Sequence, residues 1–203
     1  MKTLIPSGDI EKTISFHGHN CPGLAIGIRA AELCLRELGH NSQSALVAIC
    51  ETDMCGVDAI QMLTGCSVGK GNLIFLDYGK SSFTFFRRSD AKGFRATLDP
   101  DFLGDKGLRM TQLMKKKLSG TASAEEVTEC DSLRASCEQE YLSADLDELF
   151  SISEPQIHMP RPAKILNSVR CESCLEKLME SRSRYFDGQC LCIPCFETVE
   201  QKI

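Results

Sequence analysis

Two Cys-x2-Cys pairs near the end of the chain constrain the fold more than any other feature of the sequence. Cys171 and Cys174 form the first pair, and Cys192 and Cys195 form the second, with 17 residues between the pairs. Four thiolates at this spacing predict a closed, tetrahedral, structural zinc site. A segment of about 40 residues buries too little apolar surface to fold unaided, so zinc is expected to supply part of its folding free energy.

The residues around these pairs predict a small treble-clef zinc finger over 161–203. Residues 185–189 have the composition of a hairpin turn between short strands, and a short helix is expected from Phe196 onward. Cys190 could replace Cys192 as a ligand, but only Cys192 repeats the spacing of the first pair. Six basic and six acidic side chains between 164 and 203 cancel. This balance argues against tight nucleic-acid binding and favours a structural or protein-contact role.

Twelve cysteines in 203 residues indicate either an extracellular disulfide framework or an intracellular set of metal-binding and redox thiols. The first six residues lack the apolar segment of a signal peptide, and no apolar run approaches the roughly 20 residues that span a bilayer. We therefore expect a cytoplasmic protein of a reducing, anaerobic cell. The net charge of −5, with acidic residues concentrated between 121 and 154, lacks the basic footprint of a nucleic-acid-binding protein.

Pro160 and Pro162 favour an extended linker, which predicts a boundary between an α+β core domain over 1–160 and the zinc finger over 161–203. Apolar periodicity predicts the elements of the core. The predicted helices cover 8–16, 24–38, 57–63, 107–119 and 122–142, and the predicted strands cover 45–50, 73–78, 82–87 and 93–98. The connections at 79–80 and 89–92 predict two hairpins, 145–150 predicts a further helical turn, and 154–159 predicts an extended segment.

A second candidate metal site begins in the loop that follows the first predicted helix. His17, His19 and Cys21 lie within five residues and precede Pro22 at the start of a long apolar helix. Imidazole and thiolate are good zinc ligands, and a cysteine at a helix N-terminus is stabilised as thiolate by the helix dipole. The alternative is a loop with two solvent-facing histidines and a buried free cysteine.

Two later turns carry further groups that could complete this site. Cys55 and Asp58 follow the buried strand 45–50, and Cys66 follows the next predicted helix. If these turns converge on the loop, three mixed ligands leave a fourth position open, as in catalytic zinc sites. The metal candidates are therefore His17, His19, Cys21, Cys55 and Cys66. The catalytic candidates are Cys21, Cys55 and Asp58, of which Asp58 could orient a ligand or move protons.

Three motifs in order resemble the E-subunit family of formylmethanofuran dehydrogenase, in the form of its two-domain members with a C-terminal zinc finger. They are Phe-His-Gly-His-Asn-Cys-Pro-Gly at 16–23, Asp-Met-Cys-Gly-Val-Asp-Ala-Ile-Gln at 53–61, and Thr-Gly-Cys-Ser-Val-Gly-Lys-Gly-Asn at 64–72. The resemblance covers about residues 10–120, and Ser67 stands where the motif leads us to expect threonine. It implies a thioredoxin-like mixed sheet flanked by helices, and a core metal site built from the first two motifs. The core has no Cys-x2-Cys, so thioredoxin chemistry is not implied.

The resemblance also implies a function, because some family members are encoded beside molybdenum or tungsten formylmethanofuran dehydrogenase, an oxidoreductase of one-carbon metabolism. We expect a metal-binding accessory protein or subunit of such an enzyme, with a structural zinc in the tail and a second zinc or other transition metal in the core. The alternatives are a free-standing metalloenzyme with an open metal position, and a zinc-finger interaction or regulatory protein. A homodimer is expected as well, since the aromatic strand 83–86 needs to be covered.

Overall fold

The computed structural model describes residues 3–42 and 45–199, and the chain divides into two compact units, Met1–Pro162 and Ala163–Ile203. The division falls two residues after the boundary that the prolines predict. Within the described ranges, every helix is too short or too polar to cross a lipid bilayer.

The larger unit contains one mixed sheet of five strands and six helices within the described residues. The helices are α1 Ser7–His17, α2 Pro22–Leu38, α3 Gly56–Thr64, α4 Gly104–Leu118, α5 Ala124–Ser143 and α6 Leu146–Leu149. The strands are β1 Leu46–Cys50, β2 Leu73–Phe75, β3 Ser82–Arg87, β4 Gly93–Leu98 and β5 Phe150–Ser153. The sheet order is β2-β1-β3-β4-β5, with β1 and β2 parallel and the other pairs antiparallel. The predicted α+β class, a mixed sheet flanked by helices, is confirmed.

Strand β1 is buried along its whole length, because apolar layers cover both faces of the sheet around it. Leu46, Ala48 and Cys50 face the main core, which also contains the apolar face of α2. Val47 and Ile49 face a smaller cluster with Phe86, against which Leu76 and Met159 pack. A strand with two buried faces has no need of polar alternation, which explains the continuous apolar run at 45–50.

The structure differs from the predicted elements at three places. β2 and β3 do not form the hairpin predicted at 79–80, because β1 lies between them. β2 ends at Phe75, after which the Leu76 amide still donates to the Cys50 carbonyl (2.9 Å) before the chain turns. The predicted helical turn at 145–150 gives way at Phe150 to an edge strand, β5, which pairs with β4. The hairpin predicted at 89–92 joins β3 to β4 as expected.

The aromatic strand β3 does not require a partner chain to cover it. Phe83, Phe85 and Phe86 are each at most 5 % exposed within the single chain. The reason for which the sequence predicted a homodimer is therefore absent, and the dimer itself stays a prediction.

Helices α2 and α3 cross with their backbones in contact. A Cβ atom placed on Gly27 would lie 2.1 Å from the Gly56 carbonyl oxygen, well inside van der Waals contact. Gly56 is also confined, because its Cβ would lie 3.2 Å from the Gly27 Cα atom. This crossing sets the start of α3 beside the start of α2, at the end of each helix where the candidate ligands lie.

A buried ion pair anchors the chain as it leaves β1 toward α3. The Arg95 guanidinium donates from Nε and Nη2 to the two carboxylate oxygens of Glu51, at 2.6 and 2.8 Å. The hydrogen bond from Arg95 lowers the pKa of Glu51, against the opposing effect of burial. The Glu51 carbonyl accepts a further bond from the Lys80 amide at 2.8 Å. The segment that carries Cys55 therefore begins from a fixed point.

The smaller unit is built from two short hairpins and one helix. β6 Ser168–Arg170 pairs with β7 Lys177–Met179, and β8 Ser183–Phe186 pairs with β9 Gln189–Cys192. A 3-10 turn at Glu180–Arg182 joins the hairpins, and α7 Ile193–Thr198 follows. The hairpin predicted around 185–189 is confirmed. The final helix begins three residues before Phe196, because Cys192 caps it by accepting a hydrogen bond from the Cys195 amide.

We expect the substitution Gly27→Ala to destabilise the larger unit by roughly 2–3 kcal/mol, because the new methyl group forces α2 and α3 apart. Urea unfolding followed by circular dichroism measures the change. Gly8→Ala is the matched control: it adds a methyl group to α1 where no atom lies within 4 Å, so stability should stay the same or rise slightly. Equal urea midpoints for Gly27→Ala and the wild type would contradict the close crossing.

Candidate metal centres

Four side chains of the larger unit bring metal-ligating atoms together. The donor atoms of His17, His19, Cys21 and Cys55 all lie within 4.8 Å of one another. The first three come from the loop between α1 and α2, and Cys55 comes from the turn immediately before α3. Two imidazoles and two thiolates form a donor set that suits zinc and similar transition metals.

Local backbone geometry shapes the loop that carries three of these donors. Gly18 ends α1 in the left-handed conformation (φ 90°), with its amide bonded to the Ile14 carbonyl at 2.8 Å. Cys21 is the N-cap of α2, and its sulfur accepts a hydrogen bond from the Leu24 amide at 3.3 Å. Pro22 follows at the first position of the helix. The short stretch from 18 to 22 therefore ends one helix, begins the next and points a sulfur at the junction.

Asp58, on the first turn of α3, holds the His17 ring in place. Its carboxylate oxygen lies 2.7 Å from His17 Nδ1, while His17 Nε2 faces Cys21 Sγ at 3.8 Å. A hydrogen bond at Nδ1 leaves Nε2 free to bind a metal, as in the carboxylate–histidine–metal arrangement of many zinc sites. The geometry therefore fits the orienting role predicted for Asp58, and its proton-transfer role stays a prediction.

The four donors differ in their exposure to solvent. Cys21 is 5 % exposed, His17 and Cys55 are partly buried, and His19 is exposed with its ring centroid 4.4 Å from that of His17. Burial raises the pKa of Cys55, and the neighbouring Cys21 raises it further. Two thiolates this close repel each other, so a bound cation would stabilise the charged form of the pair.

Cys66, which the sequence placed among the metal candidates, lies outside this group. Helix α3 has nine residues and is therefore about 13 Å long, with Cys55 just before its start and Cys66 beyond its end. Cys66 is fully buried, its amide bonds to Thr64 Oγ1 at 3.2 Å, and burial raises the pKa of its thiol. The helix predicted at 57–63 already contained this separation.

A second group of donors occurs in the smaller unit. The sulfur atoms of Cys171, Cys174, Cys192 and Cys195 lie within 4.8 Å of one another. The Cys192 amide donates to Cys171 Sγ at 3.3 Å, and the Cys195 amide donates to Cys192 Sγ at 3.4 Å. Hydrogen bonds from the backbone amides of Cys174 and Cys192 lower the pKa of Cys171 to about 6. The group could hold a metal ion such as zinc.

Cys190 does not belong to this second group. Its amide donates to the Glu172 carboxylate, and its carbonyl accepts from the Glu172 amide at 2.9 Å. These bonds tie β9 to the first cysteine pair, and Cys192 is the residue brought to the other three sulfurs, as its spacing predicts.

Comparisons with known proteins relate both units to proteins already described. The family model "FmdE, Molybdenum formylmethanofuran dehydrogenase operon" matches residues 16–151, a range that contains all four core donors. A probable S-adenosyl-L-methionine-binding protein of Archaeoglobus fulgidus is 30 % identical over 190 residues, which cover 87 % of this chain and 50 % of that protein. The chain thus spans about half the length of this curated relative.

A solved structure shares the fold. The crystal structure of an FmdE-like protein of tungsten formylmethanofuran dehydrogenase, from Syntrophus aciditrophicus, superposes with a TM-score of 0.60 at 22 % identity. The match covers 96 % of this chain and 94 % of that one.

We expect Asp58→Asn to weaken metal binding at the core group by about 10- to 100-fold, because the His17 ring loses the carboxylate that orients it. Competition with a chromophoric chelator measures the affinity. Asp53→Asn provides the control, since Asp53 is exposed on the same segment and is outside the group. Unchanged affinity in Asp58→Asn would show that the carboxylate does not support the metal ligand.

Proposed function

The chain belongs to the FmdE family, described for the molybdenum formylmethanofuran dehydrogenase operon, and we propose that it is a metal-binding accessory protein of a redox enzyme of one-carbon metabolism. The observation that carries the proposal is the convergence of His17, His19, Cys21 and Cys55. In this proposal these four residues hold zinc or another transition metal, and the four cysteines of the smaller unit hold a structural zinc.

The number of core donors favours a role in holding or presenting a metal. Three ligands were expected from the sequence, which would leave a fourth position open. The structure brings four donors together, and four protein ligands complete the tetrahedral shell that is usual for zinc. When bound, the ion would neutralise the two thiolates and cross-link the α1–α2 loop to the start of α3.

A free-standing metalloenzyme is the second candidate, and one observation favours it. His19 is the one exposed donor of the core group, whereas His17, Cys21 and Cys55 are at least partly buried. A substrate could therefore replace His19 while the other three ligands keep the metal in place. In this alternative Asp58 keeps the ring of His17 oriented during the exchange.

A nucleic-acid-binding regulator has less support. The basic and acidic side chains of residues 164–203 cancel, so the zinc-finger segment lacks the charge that attracts a phosphate backbone. A structural or protein-contact role for the smaller unit fits the proposed accessory function better.

We expect elemental analysis of the purified full chain to find two equivalents of metal. Cys55→Ser should lose the core metal alone, and Cys174→Ser should lose the tail metal alone, because each removes one thiolate from one group. Cys66→Ser and Cys190→Ser are matched controls outside both groups and should retain both metals. A single equivalent that only Cys174→Ser removes would overturn the metal-binding role of the core.

The accessory role itself predicts a physical association. We expect the tagged full chain, expressed in a cell that makes a molybdenum or tungsten formylmethanofuran dehydrogenase, to retain subunits of that enzyme through affinity purification. Mass spectrometry of the eluate identifies them, and an unrelated tagged protein of similar charge controls for non-specific binding. Repeated absence of the subunits, with both metals present, would contradict the accessory role and leave the metal centres standing.

A further inference from the structure

A groove of about 490 Å³ lies between the Cys21 loop and helix α5. Asn20 and Cys21 line it on the loop side, and Asp131, Arg134, Glu138 and Gln139 line it from α5. The four α5 residues recur at intervals of three, four and one, so they share one face of the helix. Its size falls within the range of small-molecule sites, and Cys21 belongs both to the groove and to the core metal group.

Most charged side chains that link α4 and α5 are already paired. Arg109 pairs with Glu129 at 2.6 Å, Lys117 pairs with Asp131 at 2.6 Å, and Lys106 pairs with Glu140. These pairs account for the acids and bases that face each other along the helical hairpin. The groove face is different in this respect.

Two opposite charges in the groove have no charged partner among residues 3–42 and 45–199. Arg134 Nη1 approaches only the Met114 sulfur, a weak acceptor, at 3.7 Å. The Glu138 carboxylate makes no hydrogen bond or ion pair within those ranges, and no ion pair joins it to Arg134. Burial raises the pKa of Glu138, against the attraction of Arg134. A guanidinium and a carboxylate thus stand one helical turn apart, each available to a ligand.

We propose that this groove binds a small zwitterion, a molecule that carries both a carboxylate and a protonated amine. The ligand carboxylate pairs with the Arg134 guanidinium, whose planar donors match a carboxylate in two parallel bonds. The ligand ammonium pairs with Glu138, and the Asn20 and Gln139 amides supply further hydrogen bonds. A simple anion would be repelled by Glu138 and Asp131, and a simple cation by Arg134, so the lining selects for both charges together.

The inference rests on the proposed function in one respect: Cys21 places the rest of the ligand beside the core metal. A suitable probe therefore combines the two charges with a group that tolerates a thiolate-bound metal. L-Methionine meets both requirements, because its thioether is a soft donor. Two analogues isolate the charges: 4-(methylthio)butanoate lacks the amine, and 3-(methylthio)propylamine lacks the carboxylate.

The test is calorimetric titration of the full-length, zinc-loaded chain with the three probes, since the sequence contains no tryptophan to report binding by fluorescence. We expect L-methionine to bind about tenfold or more tightly than either analogue, because each analogue leaves one partly buried charge unpaired. Equal affinities for the three probes, or no heat with L-methionine, would overturn the proposal.

Substitutions locate the site and separate it from the metal. Arg134→Gln and Glu138→Gln should each weaken L-methionine binding about tenfold or more while both metals are retained. Arg109→Gln and Glu129→Gln, which remove an ion pair elsewhere on the same two helices, should leave the affinity unchanged. Wild-type affinity in both groove variants would overturn the assignment of these two residues.

The variant Cys55→Ser distinguishes failure of this inference from failure of the proposed function. Binding of L-methionine that persists in Cys55→Ser and is lost in Arg134→Gln would support the groove as a site even if the core metal proved absent. Two metals in the wild type, with no L-methionine binding, would overturn the groove and leave the metal-binding proposal intact.

Discussion

The contact between the backbones of α2 and α3 is the constraint on which the core metal group depends. Gly27 and Gly56 allow the two helices to approach until any side chain at position 27 would overlap a carbonyl oxygen. The same approach brings Cys55 over the first turn of α2, where a Cβ atom on Gly23 would lie 3.3 Å from the Cys55 Cβ. A wider crossing would move Cys55 away from the loop that carries His17, His19 and Cys21.

The two metal groups are assembled in different ways. In the smaller unit, two short hairpins carry all four cysteines, and backbone amides donate to their sulfurs. The core group joins a loop to a distant turn, and its supporting contact, between His17 and Asp58, spans 41 residues. A metal in the tail would therefore hold together a unit with little apolar core of its own. A metal in the core would instead rest on a sheet and helices that pack without it.

Helix α5 contributes more than the solvated acidic surface that its composition suggests. Its acids pair with bases on α4 along one side, and its buried residues Cys137, Tyr141 and Leu142 turn toward the core. The face with Arg134 and Glu138 meets the Cys21 loop instead. Since charges of opposite sign occur on both exposed sides, only the position of α4 decides which of them are already paired.

Short stretches of sequence were enough to predict the local features of this protein. The zinc-finger ligands follow from spacing, because a knuckle closes within four residues. The stop at Gly18 and the start at Pro22 follow from backbone conformation, and the burial of β1 follows from its unbroken apolar run. Each of these is decided by hydrogen bonds or steric limits within a few neighbouring residues.

The meeting of distant parts, in contrast, could be learned only from the packed fold. Packing joined Cys55 to the His17 loop and left Cys66 beyond the far end of α3, inserted β1 between β2 and β3, and set α5 against Cys21. These outcomes depend on how helices and strands pack over separations of tens of residues. Local propensity does not encode such packing, since the same strands and helices are compatible with more than one order in the sheet.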